Sequence, residues 1–443
     1  MESKTNLLFV NHSSVLLENN GWFIWTDPFF NTPAFGSWLA APPMCLHPTQ
    51  LLTQALANPD QFLICISHGH DDHLDDKLLS LFNRVMVATT KFESRGVFSR
   101  IQKLGFNKII ELNQSEFSFG PFLISGFIEK DHSRDDSIQL IRSNDITFVH
   151  ANDCWFEWGK STWEIINNRK SGLVVHASQV QNATGSFPYG YISYSDSEAE
   201  KINLAFLSKH LAGVTKNFDK IEADYFLNYA GHVKIFSNNS RINEKSGFVE
   251  RCDIFNLLGN SNIRFRDRLL DMRPGDSFCS GEILKSVGNL NTTEKNVKEA
   301  SALFWQEYSN GLVRDLPLTI TSSQLSILLK KFGLDFEKYV LRRSNEIEYF
   351  RQILSYKIRL SVEGHESVEV TFPNYSSTFP LEFESVWEPG LAQGILERRL
   401  NWEVSYIGGL GKHRKSPPSS NDVSVIRWLT MFGYRWQNSP LIG

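Results

Sequence analysis

Short apolar runs broken by turn residues dominate the first half of the chain. Three of them open the sequence and predict a β-meander at residues 7–10, 14–18 and 21–28. Farther along, residues with helical spacing alternate with further apolar runs. The predicted helices are 76–83, 92–103 and 195–210, and the predicted strands are 84–88, 108–111, 117–129, 137–142, 146–150, 171–177 and 224–230.

This order of elements predicts an α/β fold. Strands come first, a βα crossover follows, and more strands follow that. Such an order fits a four-layer αββα sandwich, in which two sheets pack face to face and helices cover the outside.

The length of 443 residues predicts a second domain, because single cores rarely grow beyond ~250–300 residues. We place the boundary near residue 285, giving a catalytic domain at 1–285 and a C-terminal α+β domain at 286–443. Its role is expected to be that of a lid, a substrate-binding element or a dimerisation element, the last implying a homodimer. The elements predicted there are helices at 293–309 and 322–339, strands at 355–362 and 367–372, and a helical tail at 389–432.

Composition excludes several classes of function. Hydrophobic content of 41% and charged content of 21% are typical of soluble globular proteins, and the net charge of −4 disfavours binding to nucleic acid or to an anionic membrane. No run approaches the ~18 apolar residues of a membrane span, and the N-terminus lacks an export signal. We therefore expect a cytoplasmic protein. The five cysteines are scattered without a Cys-x-x-Cys pair, which disfavours disulfides and cysteine metal sites.

The segment HGHDDH at residues 68–73 is the most informative part of the chain. It directly follows a buried-type apolar run, and five of its six side chains can bind metal ions. Imidazole nitrogens suit zinc and iron, and carboxylates suit harder or redox-active ions. Because a loop at a strand end can direct alternate side chains to two ions, we expect His68 and His70 to bind one metal, and Asp72 and His73 the other.

This motif resembles the HxHxDH signature of the metallo-β-lactamase superfamily. The resemblance implies a third histidine for the first metal and a carboxylate that bridges both. His132, in Asp131-His132-Ser133 after a strand, is the residue we assign as third ligand, with Glu129 as the alternative. Asp153, where a strand ends, is the expected bridging and catalytic ligand.

The second metal of hydrolytic members usually takes one more histidine, and residues 177–188 contain none. His176 and His232 are candidates, although a core or supporting role suits both better. We therefore expect an oxygen-rich ion with an open position, which suits iron and O2.

Two further residues match supporting positions of the superfamily. Asp27, in Asp27-Pro28 at a strand end, is expected to orient a metal-binding histidine through its other ring nitrogen. His12 lies where the first hairpin approaches the site in several subfamilies. We expect it to support the catalytic site or contact substrate, with a simple turn role as the alternative.

Several short patterns resemble one branch, the CMP-N-acetylneuraminate hydroxylases and their bacterial relatives. They include Asn152-Asp153-Cys154, Phe187-Pro188 and Arg273-Pro274-Gly275-Asp276. Members of that branch carry a Rieske domain with paired Cys-x-His and Cys-x-x-His motifs, and this sequence has neither. The electrons are therefore expected to come from a separate reductase or from the substrate.

Two functions follow from this reasoning. The first is a dinuclear iron, O2-dependent oxygenase that hydroxylates a small molecule such as a nucleotide sugar or related metabolite. The alternative is a two-metal hydrolase with zinc or manganese, such as a phosphodiesterase or an amide or lactone hydrolase.

Overall fold

Two large β-sheets occupy the first 285 residues, and a smaller sheet follows them. The structure, a computed structural model, describes residues 4–30, 33–40, 48–129, 136–180, 183–231, 233–245, 251–258, 262–285, 316–344, 348–418 and 423–438. The strands before residue 286 are β1 (Asn6–Asn11), β2 (Ser14–Asn19), β3 (Trp22–Thr26), β4 (Trp38–Ala40), β5 (Phe62–Ile66), β6 (Met86–Thr90), β7 (Ile109–Leu112), β8 (Phe117–Phe119), β9 (Phe122–Ile128), β10 (Ser137–Arg142), β11 (Ile146–Asn152), β12 (Leu173–Ser178), β13 (Tyr225–Asn228), β14 (Val233–Ile235), β15 (Leu269–Leu270), β16 (Ser277–Cys279) and β17 (Glu282–Leu284).

The helices of this region lie between the strands. They are α1 (Pro48–Ala57), α2 (Asp76–Ser80), α3 (Gly96–Lys103), α4 (Lys160–Arg169), α5 (Asp196–Lys220), α6 (Ser240–Lys245), α7 (Arg251–Leu258) and α8 (Ile263–Asp267), with short 3-10 segments at Pro59–Gln61 and Ala183–Gly190. None of the helices in the described part of the chain is long and apolar enough to span a membrane.

The first sheet has eight strands in the order β17-β16-β1-β2-β3-β5-β6-β7, and the second has seven in the order β15-β13-β12-β11-β10-β9-β8. The predicted meander is confirmed as β1, β2 and β3, which pair antiparallel. Strands β3, β5, β6 and β7 pair parallel, so their carboxyl ends meet at one edge of the sheet. That edge carries the histidine loop.

The four layers follow from burial on both faces of each sheet. In β5, Leu63 and Cys65 pack in the core between the two sheets, whereas Ile64 and its alternate neighbours pack toward α1, α2 and α3. On the second sheet, Val149 packs in a separate core with residues of α4, α5, α7 and α8. Because strand side chains alternate in direction, each buried strand serves two cores. The predicted αββα sandwich is confirmed.

One predicted strand, residues 117–129, proves to be a hairpin. A turn at Gly120 separates β8 from β9, which pair antiparallel. Gly120 has φ +54°, and a Cβ atom there would lie 2.1 Å from the ring of Trp22. Glycine is thus required by both backbone conformation and close packing, and the continuous apolar run conceals the turn.

The C-terminal region forms a four-stranded sheet in the order β19-β18-β20-β21, with helices on one face. Its elements are α9 (Ser322–Arg343), β18 (Tyr356–Val362), β19 (Val368–Thr371), β20 (Leu381–Trp387), α10 (Pro389–Leu396), α11 (Glu403–Tyr406), β21 (Lys412–Ser416) and α12 (Val423–Asn438), with a 3-10 segment at Glu348–Ser355. Strand β18 alternates between buried and half-buried positions, so one face packs on a core that includes α9 and α12. The α+β extension is therefore confirmed. The helix predicted at 293–309 lies outside the described residues, and the domain boundary near residue 285 stays a prediction.

The helical tail predicted at 389–432 is interrupted by a strand that the prediction missed. Three helices and β21 occupy that segment. Glycines between α11 and β21 allow close approaches that a side chain would prevent. A Cβ atom on Gly408 would lie 2.4 Å from the carbonyl oxygen of Phe35, and one on Gly411 would lie 2.2 Å from Oγ of Ser405. This segment also joins the two parts of the chain, because Nε1 of Trp38 donates to the carbonyl of Ile407 at 2.9 Å.

Candidate metal centre

The loop at residues 68–75 leaves the carboxyl end of β5 and ends at α2. Asp75 caps that helix by accepting a hydrogen bond from the amide of Leu78 at 3.1 Å. Within the loop, the amides of His73 and Leu74 both donate to the carbonyl of His70, at 3.1 and 2.9 Å. The strand end and the tight turn together direct the ligand-type side chains to the same edge of the sandwich.

One guanidinium group also holds the loop. Arg100, in α3, donates to the carbonyls of Gly69 and Leu74 at 2.8 and 3.0 Å, and to the carboxylates of Asp71 and Asp76 at 2.9 and 2.8 Å. The planar fork of arginine suits such a fixed set of acceptors. These contacts restrain the loop on both sides of its ligand-type residues.

Three overlapping groups of side chains lie close enough to hold metal ions. Within each group the ligand atoms are within 4.8 Å of one another. The groups are His12, Asp72 and His73; His68, His70 and Asp136; and His68, His73 and Asp153.

Asp153 belongs to the third group and lies between the other two, which we call the outer groups. Its Oδ2 is 3.8 Å from Nε2 of His68 and 3.8 Å from Nδ1 of His70, whereas its Oδ1 is 3.8 Å from Nε2 of His73. The two oxygens of one carboxylate therefore face different sets of imidazoles. This placement is the one required of a carboxylate that bridges two ions.

Asp27 orients the histidines from the side remote from the candidate ligand atoms. Its carboxylate is fully buried and accepts from Nδ1 of His73 at 2.9 Å. It also accepts from the hydroxyl of Ser67 at 2.7 Å, so that hydroxyl accepts in turn from Nδ1 of His68 at 2.9 Å. With both Nδ1 atoms donating, the Nε2 atoms of His68 and His73 keep their lone pairs for a cation.

The charges of the site also favour a cation. Burial would raise the pKa of Asp27, but His150 and His73 hold it well below its usual range. Burial opposes ionisation of Asp72 too, yet His73 and His12 lower its pKa.

Among the imidazoles, burial would lower the pKa of His73, but Asp72, Asp27 and Asp153 outweigh it and raise the pKa to about 10. Burial lowers the pKa of His68 well below its usual range and lowers that of His12. The buried carboxylates thus favour a positive charge beside His73, which a bound metal ion would supply.

Unsatisfied atoms support the same interpretation. Nε2 of His73 and Oδ1 of Asp72 are buried and have no hydrogen-bond partner among the described residues. Nε2 of His68 and Nδ1 of His70 face each other at 2.8 Å. Buried polar atoms without partners are costly, and two facing imidazole nitrogens repel unless a proton or a cation lies between them. The residues fit a metal centre.

The remaining predicted ligands are not found in these three groups. Glu129, the alternative third ligand, accepts from the amide of Gly159 at 3.0 Å and from the hydroxyl of Thr162, so its carboxylate is already engaged. His132 and His232 lie outside the described residues, and their roles stay predictions.

His176 is not brought to the cluster. It is buried on β12 between the rings of Trp158 and Phe226, at centroid distances of 5.1 and 5.2 Å, on the helix-covered face of the second sheet. Burial lowers the pKa of His176 to about 3, and neither of its ring nitrogens has a hydrogen-bond partner among the described residues. The core role considered for it fits this placement better than metal binding.

His12 lies closer to the candidate ligands than the sequence indicated. Its Nε2 is 3.2 Å from Oδ2 of Asp72, in the group that also contains His73. The expectation that no imidazole beyond His73 reaches the second ion therefore does not hold. The first hairpin, rather than residues 177–188, brings a further imidazole to this group.

Sequence reasoning missed Asp136, His150 and Tyr229. Asp136 directly precedes β10 and is buried, with Oδ1 4.0 Å from Nε2 of His68. His150 follows the alternation of β11 and shares the inward face of Phe148, which was a usable signal. Tyr229 follows β13, and its hydroxyl contacts Nδ1 of His150.

Comparison with known proteins supports the fold. A family model described as Beta-lactamase superfamily domain matches residues 6–157, about a third of the chain. Among curated proteins, none matches the chain significantly.

Similar solved structures include Igni18, a metallo hydrolase from Ignicoccus hospitalis KIN4/I, at 14% identity and TM-score 0.40, covering 62% of this chain and 98% of that one. They also include CmlA, a diiron beta-hydroxylase from Streptomyces venezuelae, at 17% identity and TM-score 0.36, covering 52% and 45%. An isothiocyanate hydrolase from Delia radicum gut bacteria has 15% identity and TM-score 0.38, covering 62% and 98%. Likeness at this level indicates no function. From the family match and the observed layers, the fold is the metallo-β-lactamase sandwich with a C-terminal extension.

Proposed function

We propose that the protein is a dinuclear non-haem iron enzyme that uses O2 to hydroxylate a small molecule. One observation carries the proposal: each outer group of the cluster contains two imidazoles and one carboxylate, and Asp153 faces both groups. Two histidines and one carboxylate with open positions are the ligand set typical of iron oxygenases. Catalytic zinc sites use either three histidines or two histidines and one carboxylate, so the same ligand set also admits zinc.

The residues have distinct roles in this proposal. His68, His70 and Asp136 hold one ion, and His12, Asp72 and His73 hold the other. Asp153 spans the two. Asp27 keeps the Nδ1 protons of His68 and His73 in place. When bound, the iron ions supply the redox chemistry that activates O2.

The open side of the cluster is where substrate would enter. The side chain of His70 is 27% exposed and that of Asp153 is 13% exposed, whereas those of His12, His68 and His73 are almost fully buried. The ring of Phe35 packs edge-on against His70 at 5.9 Å. Among the described residues, His70 and Asp153 therefore form the more exposed side of the cluster, which is where we propose that substrate binds.

The reaction also needs an electron donor. Hydroxylation with O2 consumes two electrons and two protons besides the substrate and gives the hydroxylated product and water. A separate reductase is the partner we propose for supplying those electrons. The substrate proposed from the sequence resemblance is a nucleotide sugar or a related metabolite.

A two-metal hydrolase is the second candidate, because its zinc ions would take the same two imidazoles and one carboxylate in each group. With His12 present, both ions have two nitrogen ligands, which zinc also accepts. In that case Asp153 and the two metals would position a water molecule with a lowered pKa for attack on a phosphodiester, amide or lactone.

Exposure of ferrous protein to air distinguishes the two. Protein purified anaerobically and loaded with Fe²⁺ is mixed with oxygenated buffer, and its absorbance is followed with Asp153→Ala as the control. If the protein is an oxygenase, we expect oxidation of the bound iron in the wild type. We expect the variant to lose this oxidation. Hydrolysis of a phosphodiester or lactone by the zinc-loaded protein under strict anaerobiosis would contradict it.

A further inference from the structure

A chain of buried hydrogen bonds extends from the second sheet to the metal cluster. The hydroxyl of Tyr229 contacts Nδ1 of His150, Nε2 of His150 is 3.1 Å from Oδ2 of Asp27, and the same oxygen is 2.9 Å from Nδ1 of His73. All four side chains are 0% exposed. The chain crosses from the second sheet to the first, since His150 and Tyr229 belong to β11 and the end of β13, whereas Asp27 follows β3.

The direction of each hydrogen bond follows from the acceptor at its centre. An ionised carboxylate only accepts, and Asp27 can accept from Nε2 of His150 as well as from Nδ2 of Asn152, which is 2.5 Å from the same oxygen. In the neutral tautomer that donates to Asp27, Nδ1 of His150 carries a lone pair and accepts from the hydroxyl of Tyr229. On the other side, Nδ1 of His73 donates to Asp27. The hydroxyl of Tyr229 therefore fixes the tautomer of His150, which fixes one donor to Asp27.

We propose that Tyr229 and His150 are positioning residues for the metal ion held by His73, an inference that rests on the proposed metal centre. They hold the Asp27 carboxylate in the orientation that keeps the Nδ1 proton of His73 in place and directs its Nε2 toward Asp72 and Asp153, at 3.6 and 3.8 Å. Hydrogen bonds to metal-binding histidines fix ring orientation and ligand basicity.

Burial alone does not explain these contacts. His176 lies on the neighbouring strand, paired in register with Val149, and is equally buried. Neither of its ring nitrogens has a partner among the described residues. The sheet thus accommodates a buried imidazole without hydrogen bonds, whereas both nitrogens of His150 are engaged in a chain that ends at the cluster.

Tyr229→Phe tests the proposal, with Tyr225→Phe as the matched control. Tyr225 lies on β13, the strand that Tyr229 directly follows, and its hydroxyl donates to the carbonyl of Gly281 at 3.5 Å, away from the cluster. Cobalt(II) is the probe, because its visible spectrum reports ligand geometry. We expect Tyr229→Phe to weaken binding of one of two cobalt ions by about 10–100-fold and to change its spectrum, and Tyr225→Phe to leave both unchanged.

Two variants of His150 test whether a hydrogen-bond donor to Asp27 preserves cobalt affinity. His150→Gln keeps a donor for Asp27 and should retain more cobalt affinity than His150→Leu. Unchanged cobalt affinity and spectrum in Tyr229→Phe would overturn the inference. So would an equal loss of both ions with a lower unfolding temperature of the metal-free variant, which marks a purely structural role. Failure of the wild type to bind any transition metal would instead refute the proposed metal centre.

Discussion

A buried glutamate in the C-terminal region should make the stability of the protein depend on pH. Glu403 is 4% exposed, and its carboxylate accepts a hydrogen bond from the hydroxyl of Tyr434 at 2.7 Å. Burial raises its pKa from 4.5 to about 7, with Asp71 adding to the effect and Arg427 and Arg100 opposing it.

The direction of the pH dependence follows from which state, folded or unfolded, binds the proton of Glu403 more tightly. Because the folded protein has the higher pKa, the contribution of Glu403 to stability is full below pH 4.5 and is lost as the pH rises through 7. At 1.36 kcal/mol per pKa unit, the difference between a pKa of 4.5 and one of about 7 corresponds to about 3 kcal/mol of unfolding free energy. About 2.5 kcal/mol of this is lost between pH 5 and pH 8.

Glu403→Gln keeps an acceptor for Tyr434 and removes the ionisation. The free energy of unfolding, measured with urea at pH 5 and pH 8, should therefore change less with pH in the variant than in the wild type, by about 2.5 kcal/mol. Glu388→Gln is the control, since Glu388 is only partly buried and bonds to Asn238 at the surface. The reasoning is refuted if the wild type and Glu403→Gln show the same dependence on pH.

Three further predictions concern the cluster and its supports. Asp153→Ala should lower the occupancy of both metal positions, measured by elemental analysis, because one carboxylate faces both groups. Arg100→Lys should weaken metal binding by about 10-fold, measured with a competing chelator, since a lysine cannot replace four directed hydrogen bonds. Gly172→Ala should destabilise the fold by about 3 kcal/mol in urea titrations. Gly172 has φ +61°, and a Cβ atom there would lie 1.9 Å from the carbonyl oxygen of Asp145. Two metals in Asp153→Ala, or wild-type values in the other variants, would contradict these expectations.

The layers of the fold were predictable because they depend on local patterns. Strand β5 reads as a continuous apolar run, and a strand covered on both faces must read that way. The alternation of side chains in β11 also predicts that His150 points between the two sheets and that Val149 points toward the helices. His176 pairs with Val149 in the neighbouring strand β12 and points toward the helices too. Applied to both strands, that alternation separates the supporting histidine from the core histidine.

The complete ligand set was not predictable from one sequence. The HGHDDH loop places its own side chains, but which distant residues reach it depends on how the two sheets pack. His150 and Asp27 are 123 residues apart in sequence, and His12 reaches Asp72 across 60 residues. Asp136 directly precedes a strand, as many other acidic residues do, and only the packing of the two sheets brings it near His68.

The glycine-dependent turns escaped prediction for a related reason. Gly408 and Gly411 are needed because Phe35 and Ser405 come close in space, which the tail sequence does not show.

Elemental analysis of protein purified without exposure to oxygen decides whether the chain binds iron. We expect about two iron ions per chain in the wild type, bound by the two groups that Asp153 joins, and oxidation of that iron when air is admitted. Two zinc ions per chain, no iron, and undiminished hydrolysis of a phosphodiester or lactone in the absence of oxygen would contradict it.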